Sequence, residues 1–157
     1  MPYYRTIVTH TVTELSASDI DDLNRLLTYV ASKPRTFTRE DLSHILEHAV
    51  LAAVQYIDGP LTEIRAMGLM APIRSLSAYR MYVQDVAVSP HHRRQGLGRT
   101  VMEALLSYAR THHAESVDLT STPEREPAHA LYRDLGFKLR ETNVYRFIIE
   151  HNEESPA

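Results

Sequence analysis

Apolar positions along this chain recur with two different periods, and the switches between them mark the predicted elements. Tyr3 to Thr9 alternates and is rich in Tyr, Ile, Val and Thr, which predicts a first strand. Ile20, Leu23, Leu26, Leu27 and Val30 then fall at three-or-four spacing, so a helix is predicted, capped by Ser18 with Asp21 and ended by Lys33-Pro34. Thr38-Arg39-Glu40-Asp41 opens a second helix, with Leu42, Ile45, Leu46 and Ala49 on its apolar face. Val50 to Ile57 and Leu61 to Ala71 read as antiparallel strands joined at Asp58-Gly59-Pro60, and Pro72 to Ser77 as the next turn.

Val83 to Val88 is β-branched and nearly continuously apolar, a buried strand that halts at Ser89-Pro90. From Leu97 a helical period returns through Val101, Met102, Leu105, Tyr108 and Ala109, running to about His112-His113. Val117 to Thr120 is another short strand. A last helix places Ala128, Leu131, Tyr132 and Leu135 on one face and stops at Gly136. Phe137 to Leu139 and Val144 to Ile149 are expected to close the sheet as two strands, and the latter offers an exposed edge through which a homodimer can pair. Residues 1–150 are expected to form one domain and residues 151–157 a polar tail.

The turn between the buried strand and the long helix carries candidate chemistry. Gly96 and Gly98 sit where a helix begins, with unpaired backbone N–H groups and the positive end of the helix dipole. Without Cβ atoms they let phosphate oxygens approach the amides, and Arg93, Arg94 and Arg99 add positive charge. No Gly-Lys-Ser/Thr ending and no third glycine at dinucleotide spacing is present, so a Walker loop and a Rossmann turn are set aside. A diphosphate site remains.

Arg93-Arg94-Gln95-Gly96-Leu97-Gly98 resembles the Arg/Gln-x-x-Gly-x-Gly/Ala motif of the GCN5-related N-acetyltransferases, the GNAT family. Ala128-His129-Ala130-Leu131-Tyr132-Arg133-Asp134-Leu135-Gly136-Phe137 is similar to that family's second signature, in the family's order and at a compatible separation. The resemblance spans Tyr79 to about Leu139. It implies a mixed α/β fold with helices on both faces of a mixed sheet, splayed between two parallel central strands, those of Val83–Val88 and Val117–Leu119. It implies acetyl-coenzyme A as cosubstrate in that gap, held by the backbone of Val86, Ala87 and Val88 and by Arg93, Arg94, Gln95, Gly96, Leu97, Gly98, Arg99 and Thr100.

An amine that attacks a thioester directly must lose a proton, and the departing thiolate must gain one. Tyr132 matches the motif tyrosine that in the family commonly protonates the thiolate; the alternative is plain packing beside Leu131 and Leu135. Asp85 stands where many relatives carry an acid near the acceptor, so it is the candidate general base; the alternative is a rim carboxylate paired with an arginine. Many relatives have an Asn seven residues before the tyrosine, whereas this chain has Arg125, in a Thr-Ser-x-Pro-x-Arg form that resembles a bacterial subset of the family. Arg125 can bind a cofactor phosphate or a substrate carboxylate, or pair with Glu124 or Glu126. The acceptor pocket is expected between the first two helices and the strand ends, with Tyr29, Tyr79, Tyr82 and Tyr145 as candidate lining.

The 157 residues contain no cysteine, which excludes disulfides, thiolate metal sites and a cysteine nucleophile. His44 and His48 are four apart but lack a third ligand, so no metal is expected. A net charge of −3 argues against general nucleic-acid binding, and neither a membrane span nor an export signal is read, so a cytoplasmic location is expected. The expected activity is acetyl-coenzyme A-dependent transfer to a primary amine of a small molecule or peptide. The alternative is a non-catalytic sensor of acyl-coenzyme A on the same fold.

Overall fold

The computed structural model describes residues 1–150. Five strands form one sheet in sequence order: β1 (Tyr3–Thr9), β2 (Val50–Asp58), β3 (Leu61–Arg74), β4 (Tyr79–Val88) and β5 (Ser116–Leu119). The first three pairings are antiparallel and β4 with β5 is parallel. Helices α1 (Ala17–Leu27), α2 (Arg39–Leu46), α3 (Leu97–Thr111) and α4 (Glu126–Asp134) complete the fold. The mixed α/β architecture implied by the family resemblance is present. Among the described residues, no helix is long and apolar enough to cross a membrane.

β2 reads as an unbroken apolar run because helices cover both faces of the sheet. Leu51 and Ala53 face α1 and α2, meeting Leu23, Leu26, Leu42 and Leu46. Val50, Ala52 and Val54 face the other way, onto Val101, Met102 and Leu105 of α3. Each fully buried leucine contributes about 2 kcal/mol. Gly68 of β3 lets α3 come close, since a Cβ there would lie 2.7 Å from Val101 Cγ1.

Both short N-terminal helices close their own ends. Ser16, not Ser18, caps α1: its Oγ accepts from Asp19 N–H at 3.1 Å while Asp19 Oδ2 accepts from Ser16 N–H at 2.8 Å. Burial of Asp19 favours this frame, because its other oxygen accepts from Gln55 Nε2 at 2.6 Å in the core. Thr38 and Asp41 form the same box on α2, at the N-terminus expected for that helix. α1 stops at Leu27 instead of reaching Val30, and the next residues make tighter turns, Tyr29 N–H to Leu26 O and Val30 N–H to Leu27 O.

The two closing strands do not form. Beyond Gly136, residues 137–150 carry no ladder hydrogen bonds among the described residues, and the expected edge at Val144 to Ile149 is an unpaired, exposed segment. Alternation states which faces a strand would bury, but the strand itself exists only where a neighbour receives its N–H and C=O groups. The tail expected at residues 151–157 lies outside the described residues.

Candidate active site

The turn after β4 is anchored before it becomes polar. Ser89 N–H donates to Arg65 O at 2.8 Å, and a 3-10 turn over Pro90–His92 follows. Arg94 and Gly96 both take positive φ, 62° and 79°, which swings the chain into α3. Gly96 is the N-cap and no side chain caps the helix, so its first N–H groups are directed outward. A Cβ on Gly98 would sit 3.4 Å from Val88 Cγ2 and 3.6 Å from Leu131 Cδ2, so this glycine keeps α3 against both β4 and α4.

Side chains of this loop divide by task. Arg93 and Arg94 are exposed and make no ion pair among the described residues, which leaves two cations beside the free helix end. Arg99 instead reaches Asp134 Oδ2 at 3.2 Å and so ties α3 to α4. Gln95 Oε1 accepts from Tyr4 Oη at 3.3 Å. Leu97 is buried in the core, so only its backbone faces the loop, and Thr100 Oγ1 donates back to Gly96 O at 3.3 Å.

The parallel ladder ends where Val83 pairs with Leu119, yet β4 continues to Val88. Val86, Ala87 and Val88 therefore lie along an edge of β4 that β5 does not cover. The other edge is bulged: Met67 pairs with Ala87 and Leu69 with Gln84, so Asp85 and Val86 together oppose Gly68. Asp85 adopts φ 52°, a strained value for a residue with a Cβ, and the bulge turns it into the cleft between the parted strands.

That cleft, about 90 Å³, is lined by Val30, Asp85, Ser121, Arg125 and Tyr132. An open groove of about 460 Å³ continues from it past Ser32, Lys33, Tyr82 and Arg146. The outer side of Asp85 meets solvent, but the protein wall behind it pushes its carboxyl above the ordinary range, and no arginine pairs with it among the described residues. Burial also raises the Tyr132 phenol, against a smaller opposing effect of the Arg125 charge. The helix end beneath Tyr132 is closed by a Schellman turn, with Phe137 N–H to Tyr132 O at 2.9 Å and Gly136 N–H to Arg133 O at 3.0 Å. Phe137 packs edge-on against the tyrosine ring at 5.8 Å. Tyr132 is thus both packed and aimed at the cleft, so packing and a chemical role are compatible.

Arg125 reaches across the fold to the segment after α1. Its Nη2 donates to Val30 O at 3.0 Å, fastening the segment after α1 to the start of α4 and closing one side of the cleft. The pairing with Glu124 or Glu126 is absent from the described ion pairs. Sequence reasoning missed Ser121, whose Oγ is buried at the cleft with no hydrogen-bond partner among the described residues. It also missed the bulge, for which the lone Gly68 inside an apolar strand was the available signal.

Of the candidate aromatics, Tyr82 lines the groove and its Oη shares a hydrogen bond with Thr120 Oγ1 at 2.8 Å. Tyr79 packs under Arg74 at 3.9 Å, while Tyr29 and Tyr145 are exposed and line neither space. α2 lines neither as well. His44 pairs with Glu47, and no group of three metal-ligating side chains occurs among the described residues.

Comparison with known proteins agrees with this geometry. A stretch of 58 residues is 36% identical to streptothricin acetyltransferase of Streptomyces lavendulae, covering 37% of this chain and 31% of that protein. The match therefore spans about a third of the relative's length. An acetyltransferase of Trypanosoma brucei superposes with a TM-score of 0.72 at 19% identity, over 93% of this chain and 100% of that one. Glucosamine-6-phosphate N-acetyltransferase of Arabidopsis thaliana gives 0.69 at 16% identity, over 95% and 99%. An aminoglycoside acetyltransferase from an uncultured soil metagenomic sample gives 0.73 at 16% identity, over 95% and 97%. At these identities the superpositions speak for the fold. The profile of the Acetyltransferase (GNAT) family matches residues 20–137, most of the chain including both motifs, and this protein belongs to that family.

Proposed function

We propose that this chain is an acetyl-coenzyme A-dependent N-acetyltransferase that moves an acetyl group directly onto a primary amine of a small molecule or peptide. The observation that carries the reading is the convergence of Asp85 and Tyr132 on one cleft, beside the uncovered edge of β4, the strand that leads into the uncapped N-terminus of α3.

The residues fit the cosubstrate. A diphosphate suits the N–H groups at Gly96 to Arg99, with Arg93 and Arg94 for its charge, and Gly96, where a Cβ would project into open space, leaves no side chain in the way. The amides of the pantetheine arm suit the free edge of β4 from Val86 to Val88, as an added strand would. Bound there, acetyl-coenzyme A supplies an activated acyl group as a thioester.

The chain's own groups then manage protons. Asp85 takes the proton of the incoming ammonium, directly or through water, and its raised pKa brings it nearer that task than an ordinary aspartate. Tyr132 keeps its phenolic proton at neutral pH, because burial opposes the phenolate, and donates it to the departing sulfur. Arg125 positions the wall around both through Val30. The acceptor enters by the groove that Tyr82 and Lys33 line. Three of the proteins named above are named for acetylating streptothricin, glucosamine-6-phosphate and aminoglycosides, which supports an amine acceptor here.

The test is Tyr132→Phe assayed with acetyl-coenzyme A and a panel of amines. We expect kcat to fall by roughly 10²–10⁴ while acetyl-coenzyme A binding by calorimetry stays close to wild type. An unchanged kcat would remove the proton-donor role, and wild-type protein that binds no acetyl-coenzyme A would remove the function.

A further inference from the structure

Granted the acetyl-transfer reading, on which this rests, we infer that the acceptor is a small amine that carries its own carboxylate or phosphate. Its ammonium turns inward to Asp85, and its anionic group is held in the outer groove by Lys33 and Arg146. Charge along the cleft and the groove is unbalanced. Among the described residues that line the two spaces, Asp85 is the one acidic side chain, set against Lys33, Arg125 and Arg146. A lone ammonium can meet Asp85, but a polyamine or an aminoglycoside would bring further positive charges to a wall that repels them.

The two ends of this path offer different chemistry. At the inner end, the buried Oγ of Ser121 has no hydrogen-bond partner among the described residues, so it and Asp85 can both accept from the N–H groups of one ammonium. Arg125 is fixed there by its bond to Val30 O at 3.0 Å, and its charge reaches the cleft, where it opposes the effect of burial on the Tyr132 phenol. No second carboxylate waits inside for a second amine. Lys33 and Arg146 line only the outer groove and make no ion pair among the described residues. The neutral groups of that wall are already engaged, since Tyr82 Oη and Thr120 Oγ1 share a hydrogen bond at 2.8 Å. An anion is what two unpaired cations in a concave surface lack, and a guanidinium beside an ammonium suits a carboxylate or a phosphate. At about 460 Å³ the groove has the size of a small-molecule site.

The test is turnover of matched acceptors by the full chain at saturating acetyl-coenzyme A. Free amino acids are set against their amides, aminoalkyl phosphates against the corresponding amino alcohols, and spermidine and kanamycin serve as polycations. The anionic member of at least one pair should show the higher kcat/KM by at least about 10-fold, and the pair that does identifies the anion. Lys33→Glu/Arg146→Glu should bring that ratio to about one or below, chiefly through KM. Equal or better turnover of the uncharged partners or the polycations by wild type would overturn the inference while leaving acetyl transfer in place, and so would an unchanged ratio in the variant. If no amine at all is acetylated, the acetyl-transfer reading fails, and calorimetry on the coenzyme A-saturated protein decides the groove. An amino acid or an aminoalkyl phosphate should then bind wild type at least about 10-fold more tightly than the variant, and equal or absent binding would overturn the inference.

Discussion

The N-termini of α1 and α2 and that of α3 meet the same physical problem with opposite solutions. Ser16 with Asp19 and Thr38 with Asp41 satisfy the orphan N–H groups from within the chain, so those ends are complete in a single molecule. α3 has Gly96 in a left-handed conformation at its cap and, among the described residues, no capping side chain and two arginines beside it that make no ion pair. A capped end is a stability device of about 1 kcal/mol. An uncapped one flanked by positive charge forgoes that stabilisation and keeps its donors for an anion. The family's cosubstrate carries the diphosphate that would complete it.

Gly96→Glu should give the largest effect in this comparison. The new carboxylate competes for the N–H groups and repels phosphates, so acetyl-coenzyme A affinity measured by calorimetry should drop at least about 100-fold. No atom lies within 4 Å of a Cβ at that position, so the stability cost is confined to the φ of 79°, about 1–2 kcal/mol. Affinity that survives the change would mean the diphosphate binds elsewhere. Gly68→Ala comes next: a Cβ 2.7 Å from Val101 and 3.1 Å from Leu105 should cost about 1–3 kcal/mol in urea melts, with α3 pushed away from β3. A neutral result would show that the helix gives way easily. Ser16→Ala should lower stability by about 1 kcal/mol and leave acetyl-coenzyme A affinity as it was, separating the closed helix end from the open one.

The smallest effects are expected from pH, and they carry opposite signs at two aspartates. Asp41 has its pKa lowered by the Thr38 N–H and then the Thr38 hydroxyl. Its contribution to stability is therefore present above the unfolded-state pKa and lost as pH falls through the folded value. Asp85 has its pKa raised by burial, so the folded state binds its proton more tightly; that small contribution is present at low pH and lost as pH rises through the folded value. Asp85→Asn should then leave the melting temperature at neutral pH equal or slightly higher, while the acidic limb of the rate profile, if Asp85 is the base, flattens. A profile that keeps its acidic limb in that variant would assign the base to another group.

Much of the architecture was legible because it rests on local or periodic signals. Helical spacing from Leu97 to Ala109 located α3, the Thr38 box located α2, and Gly136 marked the stop of α4. Both family motifs lie within one strand-turn-helix or one helix, so the glycine-arginine loop and the place of Tyr132 on the last helix could be located from residue order. The cap of α1 was misread by two residues because Ser16 and Ser18 are both suitable, and the core contact between Asp19 and Gln55 chose between them.

What the chain by itself determined was which segments are helical, which are strand-like, and where a helix begins without a cap. Only the tertiary structure decided how far β4 outruns β5, that a bulge against Gly68 turns Asp85 into the cleft, and that Arg125 donates to Val30 across the fold. It also decided that the strand pattern of 144–149 stays unpaired within one chain. The physical reason is the same in each case: periodicity and capping depend on neighbours a few residues away, whereas a ladder, a bulge or a long-range hydrogen bond depends on which distant group arrives to meet it.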